Sequence, residues 1–249
     1  MKNIILSFIC VMALGSCKKE KVEGPQGAQG NPGNGISGNI SGKITQVNQF
    51  NTNYSSGLNT TTVSIDGTSL STITDIIGNY TLSSVPPGIY DISLNKNGCG
   101  LTKLQQVNFP GNGTLYLNGT ISDKATHTFT NGAVTVNGQQ INTLVNYPSS
   151  VNTKAGIVIL GKMPNVDITN PTSYDAVQQF YIFPSTTTYS TNFSFAIFDS
   201  IAYPSGTTIF AKIYPTTNAS SGYTDYSIGK FIYTGFGTPL PTTFTITRP

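Results

Sequence analysis

Charged residues are scarce in this sequence, and tryptophan is absent from it. Lysine, arginine, aspartate and glutamate make up 9% of the 249 residues, and the formal net charge is +3. An average soluble protein carries ~25% charged residues. Binding to nucleic acid needs a basic surface, which so sparse and balanced a charge does not supply, so we expect no nucleic-acid partner. Polarity comes instead from Thr, Ser, Asn and Gly, which favour strands and turns over helices.

Histidine is nearly absent, because His127 is the only one in the chain. A zinc peptidase site uses two histidines and a glutamate, and a serine triad needs a histidine base beside its nucleophile. Neither set can be assembled here. We therefore predict that the protein is not an enzyme, and that it has no cofactor and no metal site. His127 itself lies between threonines and is predicted to be an exposed strand residue.

Acidic residues leave two weaker alternatives open. Calcium takes many oxygen ligands, and Asp66, Asp75 and Asp91 could gather around it, although a turn or a strand already explains each of them. Asp167 and Asp175 are the only acidic residues close together in the second half of the chain. A glycosidase needs two carboxyl groups at a fixed separation across a cleft, and nothing in the surrounding sequence primes this pair.

Long hydrophobic runs are also missing. The apolar segment from Ile4 to Leu14 is too short for a membrane-spanning helix, which needs ~20 residues. It follows a lysine and ends in small residues, as secretory signals do. The next residues resemble the lipobox of bacterial lipoproteins: Leu14, Gly15, Ser16 and Cys17. This resemblance implies a signal peptide over 1–16, cleavage before Cys17, and attachment of acyl chains such as palmitate to Cys17.

Residues 17–37 are predicted to form a tether. Glycine recurs at every third position from Gly24 to Gly33, as in the collagen repeat, but three triplets are too few to hold a triple helix alone. An extended Pro/Gly-rich spacer of this length reaches ~60 Å. Of the three cysteines, Cys99 is left without an intramolecular partner. We predict that Cys99 is a small buried residue and not a reactive thiol.

Apolar and polar residues alternate in short runs from residue 38 onward, and no segment keeps apolar residues at helical spacing over three turns. The pattern predicts an all-β protein with two β-sandwiches in tandem, over 38–121 and 122–249. In the second half, Gly156–Leu160 is predicted to be a fully buried strand. Two further strands are predicted from alternating residues, the first from Phe193, Phe195 and Ile197 and the second from Ile209, Ala211 and Ile213.

One stretch of the first half carries a specific motif. Asp75 can bind backbone amides two residues further on, and Gly78 can take a positive φ, so together they form a turn between strands. Tyr80 and Tyr90 are predicted to face the core, and Pro87 and Gly88 form the next turn. The stretch from Thr74 to Ile92 resembles the carboxypeptidase regulatory-like family, a relative of CnaB and transthyretin-like sandwiches. The resemblance implies a seven-stranded sandwich without catalytic residues; the second half resembles fibronectin-type or immunoglobulin-like domains less specifically.

These features predict a non-catalytic, lipid-anchored envelope protein resembling those of Bacteroidetes. It would lie in the outer membrane, exposed at the cell surface or facing the periplasm, and present its sandwiches for adhesion, scaffolding or partner binding. The alternative is a glycan-binding surface lipoprotein of a nutrient-uptake system. That alternative uses loop tyrosines as a platform, with Tyr203 and Tyr223 as the leading candidates among Tyr181, Tyr189, Tyr203, Tyr223 and Tyr226. Asp199-Ser200-Ile201 resembles a Bacteroidetes O-glycosylation motif, which makes Ser200 a candidate for modification.

Overall fold

A computed structural model describes residues 36–201, 203–217 and 222–249, with the backbone alone at 199–201. The regular structure in these ranges is almost entirely β-strand, which confirms the all-β prediction. None of the helical segments described is long and apolar enough to cross a membrane. The predicted signal peptide, Cys17 and the predicted spacer up to residue 35 lie outside the described residues, and so does the side chain of Ser200.

Eight strands form the first group: β1 (Gly38–Val47), β2 (Thr62–Ile65), β3 (Ser71–Ile73), β4 (Asn79–Val85), β5 (Gly88–Asn95), β6 (Thr102–Phe109), β7 (Thr114–Tyr116) and β8 (Gly119–Ser122). One sheet has the order β4-β1-β7, with β8 also paired to β1, and the other has the order β3-β2-β5-β6. Alternate residues of both sheets, among them Ile40, Ile44, Val63 and Ile92, bury their side chains in one core. The two sheets therefore form a sandwich.

Strand β1 pairs antiparallel with β4 on one edge and parallel with β7 and then β8 on the other. The break between β7 and β8 lies beside Gly42, where an added Cβ would be 1.8 Å from the carbonyl oxygen of Leu117. The hydroxyl of Tyr80 donates to the same carbonyl at 2.7 Å, and the amide of Lys43 donates to the side chain of Asn118 at 2.8 Å. A glycine at position 42 therefore lets the broken edge approach β1 closely.

The motif stretch begins with the turn between β3 and β4 and continues through β4 into β5. Asp75 Oδ1 accepts hydrogen bonds from the amides of Ile77 at 3.0 Å and Asn79 at 2.8 Å, and these donors hold the pKa of Asp75 below its usual range. Gly78 has a φ of 89°. Tyr80 is buried, whereas Tyr90 packs against the edge of the core and donates its hydroxyl to the carbonyl of Pro86 at 2.9 Å.

Nine strands form the second group: β9 (Asn131–Asn137), β10 (Gln140–Asn146), β11 (Lys154–Gly161), β12 (Ala176–Ile182), β13 (Thr188–Ser194), β14 (Thr208–Thr216), β15 (Gly222–Asp225), β16 (Lys230–Tyr233) and β17 (Phe244–Thr247). A sheet of order β13-β10-β9 faces a sheet of order β12-β11-β14-β17, and β15 and β16 pair as a separate hairpin. The main core between the two sheets includes Ile141, Phe180 and Ile213.

All eight residues of β11 are buried, which confirms the predicted strand Gly156–Leu160. Val158 and Leu160 enter the core between the sheets, whereas Ile157 and Ile159 enter a further core on the outer face. The loop 162–175 and the hairpin cover that outer face. A strand buried on both sides has no polar face, so its sequence is a continuous apolar run.

The predicted strand through Phe193, Phe195 and Ile197 is only partly correct. Strand β13 ends at Ser194, and Phe195–Ile201 forms a 3₁₀ helix. Phe195 and Phe198 are both buried and their rings lie 6.0 Å apart. Residues three apart lie on the same side of a 3₁₀ helix, so this spacing buries both rings where alternation would have buried Phe195 and Ile197.

Residues Gly35–Pro249 form one compact unit. The amide of Ala125 donates to the carbonyl of Gly235 at 3.0 Å, and the hydroxyl of Thr234 donates to the carbonyl of Leu101 at 2.7 Å.

The prediction for His127 is wrong: the residue lies outside any strand and is partly buried. Its Nε2 is 2.9 Å from the carbonyl oxygen of Ala155, and its Nδ1 is 3.3 Å from Gln49 Oε1 in the first group.

Candidate functional site

A groove lies where the β15–β16 hairpin meets the loop 162–175 and the start of β12. We call it the hairpin groove; it has a volume of about 280 Å³ and is lined by Tyr174, Asp175, Val177, Gly229, Lys230, Phe231 and Tyr233. Three of these residues are aromatic, one is a carboxylate and one is an ammonium. Apolar walls with a few converging polar groups are typical of small-molecule sites.

The hairpin places the aromatic residues by local geometry. Its turn is closed by Asp225, whose Oδ1 accepts hydrogen bonds from the amide of Ser227 at 2.9 Å and from its hydroxyl at 2.6 Å. Gly229 completes the turn with a φ of 64°. Across the hairpin, the ring of Phe231 lies over Gly222, where an added Cβ would be 2.8 Å from the ring. A glycine on one strand therefore leaves room for the phenylalanine ring of the other strand.

The opposite wall is the loop 162–175, which its own hydrogen bonds hold in place. The amide of Asp167 donates to the hydroxyl of Ser173 at 2.8 Å, and that hydroxyl is also within 2.8 Å of the carbonyl oxygen of Asn170. Asp167 Oδ2 is 3.3 Å from Lys212 Nζ on β14. This ion pair and the hydrogen bonds to Thr169 lower the pKa of Asp167 against the opposing effect of burial. The loop is therefore tied to the sheet beneath it.

Lys230 joins the two walls. Its Nζ donates to the carbonyl of Pro171 at 2.7 Å and to the carbonyl of Tyr174 at 2.6 Å. The same ammonium lies 5.3 Å from the centre of the Tyr174 ring. An ammonium has three donors, so these two carbonyls leave one N–H of Lys230 for another acceptor.

The aromatic residues of the groove differ in exposure. Phe231 is 37% exposed, and its ring lies 4.9 Å from that of Tyr233 in an edge-to-face arrangement. Tyr181, on the outward side of β12, is 44% exposed and close enough to Tyr233 to help raise its pKa. Tyr174 is 2% exposed, and its hydroxyl has no hydrogen-bond partner among the described residues. Burial and the neighbouring tyrosines raise the pKa of Tyr174 to about 12, so the hydroxyl keeps its proton.

Asp175 carries the carboxylate of the groove. Its Oδ2 accepts a hydrogen bond from the hydroxyl of Tyr203. Burial and this carboxylate raise the pKa of Tyr203, which remains a phenol that donates to Asp175. Lys162 Nζ lies 4.4 Å from the centre of the Tyr203 ring. The hydrogen bond from the buried Tyr203 thus fixes the orientation of the Asp175 carboxylate.

The predicted platform of Tyr203 and Tyr223 is therefore wrong for Tyr203, which is 2% exposed and packs its ring 4.7 Å from that of Phe198. The residues that follow Tyr203, Pro204 and Ser205, are typical of a surface loop, but the ring of Tyr203 lies in the core. Tyr223 is half-buried, and the ammonium of Lys103 lies 5.3 Å from its ring centre. Phe231 on β16 and Tyr181 on β12 are exposed, as is Tyr226 in the turn of the hairpin.

The other acidic residues have separate partners. Asp66 Oδ2 is 2.7 Å from Lys103 Nζ and Oδ1 is 2.6 Å from Ser93 Oγ, whereas Asp91 Oδ1 accepts the amide of Gln106 at 2.9 Å. Within the described ranges, no three histidine, cysteine or acidic side chains form a group that could hold a metal ion. Asp167 pairs with Lys212 and Asp175 with Tyr203, so each of these two carboxylates is held by its own neighbour.

Cys99 is 4% exposed and is a free cysteine, as expected for a small buried residue. Its Sγ lies 3.6 Å from Asp123 Oδ1. Burial, and then the charge of Asp123, raises the pKa of the thiol to about 11. A thiolate is the reactive form of cysteine, so this residue stays an unreactive thiol at neutral pH.

A larger cleft of about 390 Å³ lies at the junction of the two halves, lined by residues 124–128 and 236–239. Its ionisable side chains are Lys124 and His127, and Phe236 is its one aromatic residue. Phe236 is only partly exposed, because its ring packs edge-on against that of Tyr214 at 5.7 Å. The hairpin groove combines more aromatic surface with charges of both signs, so it is the better candidate for ligand binding.

No family model matches the chain, and no curated protein matches it. Among solved structures, a candidate carbohydrate-binding protein from Bacteroides uniformis is 14% identical, with 86% of this chain and 100% of that chain covered and a TM-score of 0.31. A DUF3823-family protein from Parabacteroides merdae has the same values. A cohesin–X-dockerin complex from Acetivibrio cellulolyticus is 20% identical, with 37% and 62% covered and a TM-score of 0.31. Similarities of this size carry no information about a ligand.

Proposed function

We propose that this chain is a non-catalytic, lipid-anchored envelope protein that holds a ligand or partner through its second β-sandwich. The hairpin groove is the observation that carries the proposal. Three aromatic rings, of which that of Phe231 is exposed, converge there with a carboxylate and an ammonium, and none of the lining residues is a histidine, cysteine or serine. Such a lining suits recognition of a ligand and supplies no activated nucleophile.

The anchoring part of the proposal comes from the lipobox. Acyl chains on Cys17 would attach the chain to the membrane, and two or more chains make the attachment stable where a single chain is marginal. The spacer that ends near residue 37 would then lift the sandwiches away from the lipid. The outer membrane is the proposed location, with the sandwiches at the cell surface or in the periplasm.

Anchoring is tested by producing the full chain and a Cys17→Ser variant in cells supplied with labelled palmitate. We expect the parent chain to be labelled and recovered with membranes, and the variant to lose both properties. A Cys99→Ser variant is the matched control, since its thiol is buried in the first sandwich, and it should still be labelled. A Cys17→Ser chain that remains acylated would overturn the anchoring. Protease treatment of intact cells then distinguishes surface exposure from a periplasmic location.

A glycan is the ligand that the groove favours. The apolar faces of sugar rings stack on aromatic side chains, and Phe231 offers an exposed ring in the lining of the groove. Electrophoresis through gels that contain polysaccharides should retard the parent chain. A Phe231→Ala variant should migrate freely, whereas Tyr116→Ala, which removes an 80% exposed ring from the first sandwich, should be retarded like the parent. Equal retardation of both variants would place any glycan binding outside the groove.

A further inference from the structure

We infer that the hairpin groove selects a neutral sugar ring over an acidic one, with the ring stacked on Phe231 and bonded by Asp175 and Lys230. This inference rests on the glycan-binding role proposed above and specifies the chemistry of the sugar. It follows from the donors and acceptors that the groove leaves unused.

The first step concerns size and shape. A groove of about 280 Å³ lies just below the ~300–1,000 Å³ of typical ligand pockets, so it suits a single sugar ring better than an extended chain. The ring of Phe231 packs closely against Gly222 and meets that of Tyr233 edge to face, so contacts on the hairpin itself hold the exposed ring in place. A rigid aromatic face loses little conformational entropy when a ligand packs on it.

The second step concerns hydrogen bonding. An ionised Asp175 can only accept, and Tyr203 occupies one of its oxygens from the protein side. Lys230 can only donate, and two of its three N–H groups are bonded to carbonyls. A sugar hydroxyl both donates and accepts. Neighbouring hydroxyls on one neutral ring can therefore donate to Asp175 and accept from Lys230 at the same time.

The third step concerns charge. The lining of the groove contains one carboxylate and one ammonium, so it has no net charge to attract an ion of either sign. A uronic acid would give the groove two carboxylates against one ammonium, and like charges in a partly desolvated site repel each other. Lys230 could offer the added carboxylate only its one remaining N–H, because the other two donate to the carbonyls of Pro171 and Tyr174.

The test uses the full-length chain purified in detergent and two polymers with the same sugar backbone, one charged and one neutral: polygalacturonate and its fully methyl-esterified form. Neutral glucan, galactan, mannan and xylan complete the panel. We expect binding to at least one neutral polymer and at least about ten-fold weaker binding to polygalacturonate. Competition by free neutral monosaccharides, compared with galacturonic acid, repeats the comparison without any variant.

Variants then locate the selectivity. Asp175→Asn keeps the size of the side chain and should weaken binding of the neutral ligand about ten-fold. It should also reduce the ratio between the affinities for the neutral and the acidic polymer. Tyr116→Ala should change neither affinity by more than about two-fold. Melting temperatures of the variants show whether any loss reflects unfolding.

The outcomes separate the inference from the function on which it rests. Preference for the acidic polymer, or equal binding of both, overturns the neutral-sugar inference and leaves glycan binding in place. Failure to bind any polymer or monosaccharide overturns both the inference and the glycan role. Neither result affects the acylation of Cys17, which tests the anchoring alone.

Discussion

The two sandwiches differ most on their outer faces. In the first, hydroxyl groups cover the outside of β1: Ser41 Oγ is 3.0 Å from Thr81 Oγ1, and Thr45 Oγ1 is 2.8 Å from Thr120 Oγ1. In the second, the outside of the central strand β11 presents Ile157 and Ile159, both without solvent exposure. The first sandwich thus has one core, and the second has one core between its sheets and another outside them.

This difference explains where the candidate site lies. An apolar outer face has to be covered, and the loop 162–175 and the β15–β16 hairpin cover it. Neither segment belongs to the sheets of the sandwich, so the line where they meet is not closed by strand pairing. The groove forms on that line. Loops and hairpins placed on a rigid scaffold are where binding residues concentrate.

The largest expected effect comes from removing the outer core. Ile159→Ala should lower the free energy of unfolding by about 2–5 kcal/mol, because a buried side chain is lost and a cavity remains. Leu160→Ala, which faces the main core, should cost about as much, whereas Thr81→Ala on the outside of the first sandwich should stay within about 1 kcal/mol. Urea denaturation measures all three changes. If Ile159→Ala lowered the free energy of unfolding by no more than Thr81→Ala does, the outer core of the second sandwich would contribute no more stability than the polar outer face of the first.

An intermediate effect is expected when the two walls of the groove are separated. Lys230→Met keeps the length of the side chain and removes its bonds to the carbonyls of Pro171 and Tyr174. We expect a loss of about 1.5–3 kcal/mol and faster amide hydrogen exchange in residues 222–233. The matched change Lys43→Met, at an exposed site on β1, should alter neither quantity measurably. Unchanged exchange in the hairpin of the Lys230 variant would show that other contacts hold it.

The smallest effect concerns the junction between the halves. Burial holds the pKa of His127 below its usual 6.5, and the charge of Lys154 adds to this while the bond to the carbonyl of Ala155 opposes it. The unfolded chain therefore takes up a proton near pH 6.5 that the folded chain takes up only at lower pH. Stability is full above that pH and should fall as the pH decreases below it.

Denaturation of the parent chain and of His127→Gln between pH 7 and 5 measures this dependence. The variant should lose the slope just below pH 6.5, because His127 is the only histidine. Folding lowers the pKa values of Asp75, Asp167 and Asp225 below 3.8. The stability that these carboxylates contribute is therefore lost only at a pH below the range tested here. An identical slope in both proteins would contradict the burial of the imidazole.

Local sequence patterns predicted the strands well and the site poorly. Alternation in Ile209, Ala211 and Ile213 identifies β14, and the continuous apolar run identifies β11, because the side-chain period of a strand is a property of a few neighbouring residues. Phe195 was assigned to a strand since three alternating apolar residues do not distinguish a strand end from a 3₁₀ turn. Tyr203 was assigned to the surface because its loop-like neighbours contain no information about the core that its ring enters.

The sequence by itself determined the fold class, with strands separated by turns, and its single histidine rules out a zinc-peptidase site and a serine triad built from this chain alone. Both follow from composition and from spacing over a few residues. Only the tertiary structure decided which residues share a site. Tyr174 and Asp175 precede β12, whereas Lys230 and Phe231 lie on β16, and they meet because an apolar outer face had to be covered and Lys230 bonds across the cover. Contacts between residues so far apart in the chain depend on packing, which local periodicity does not contain.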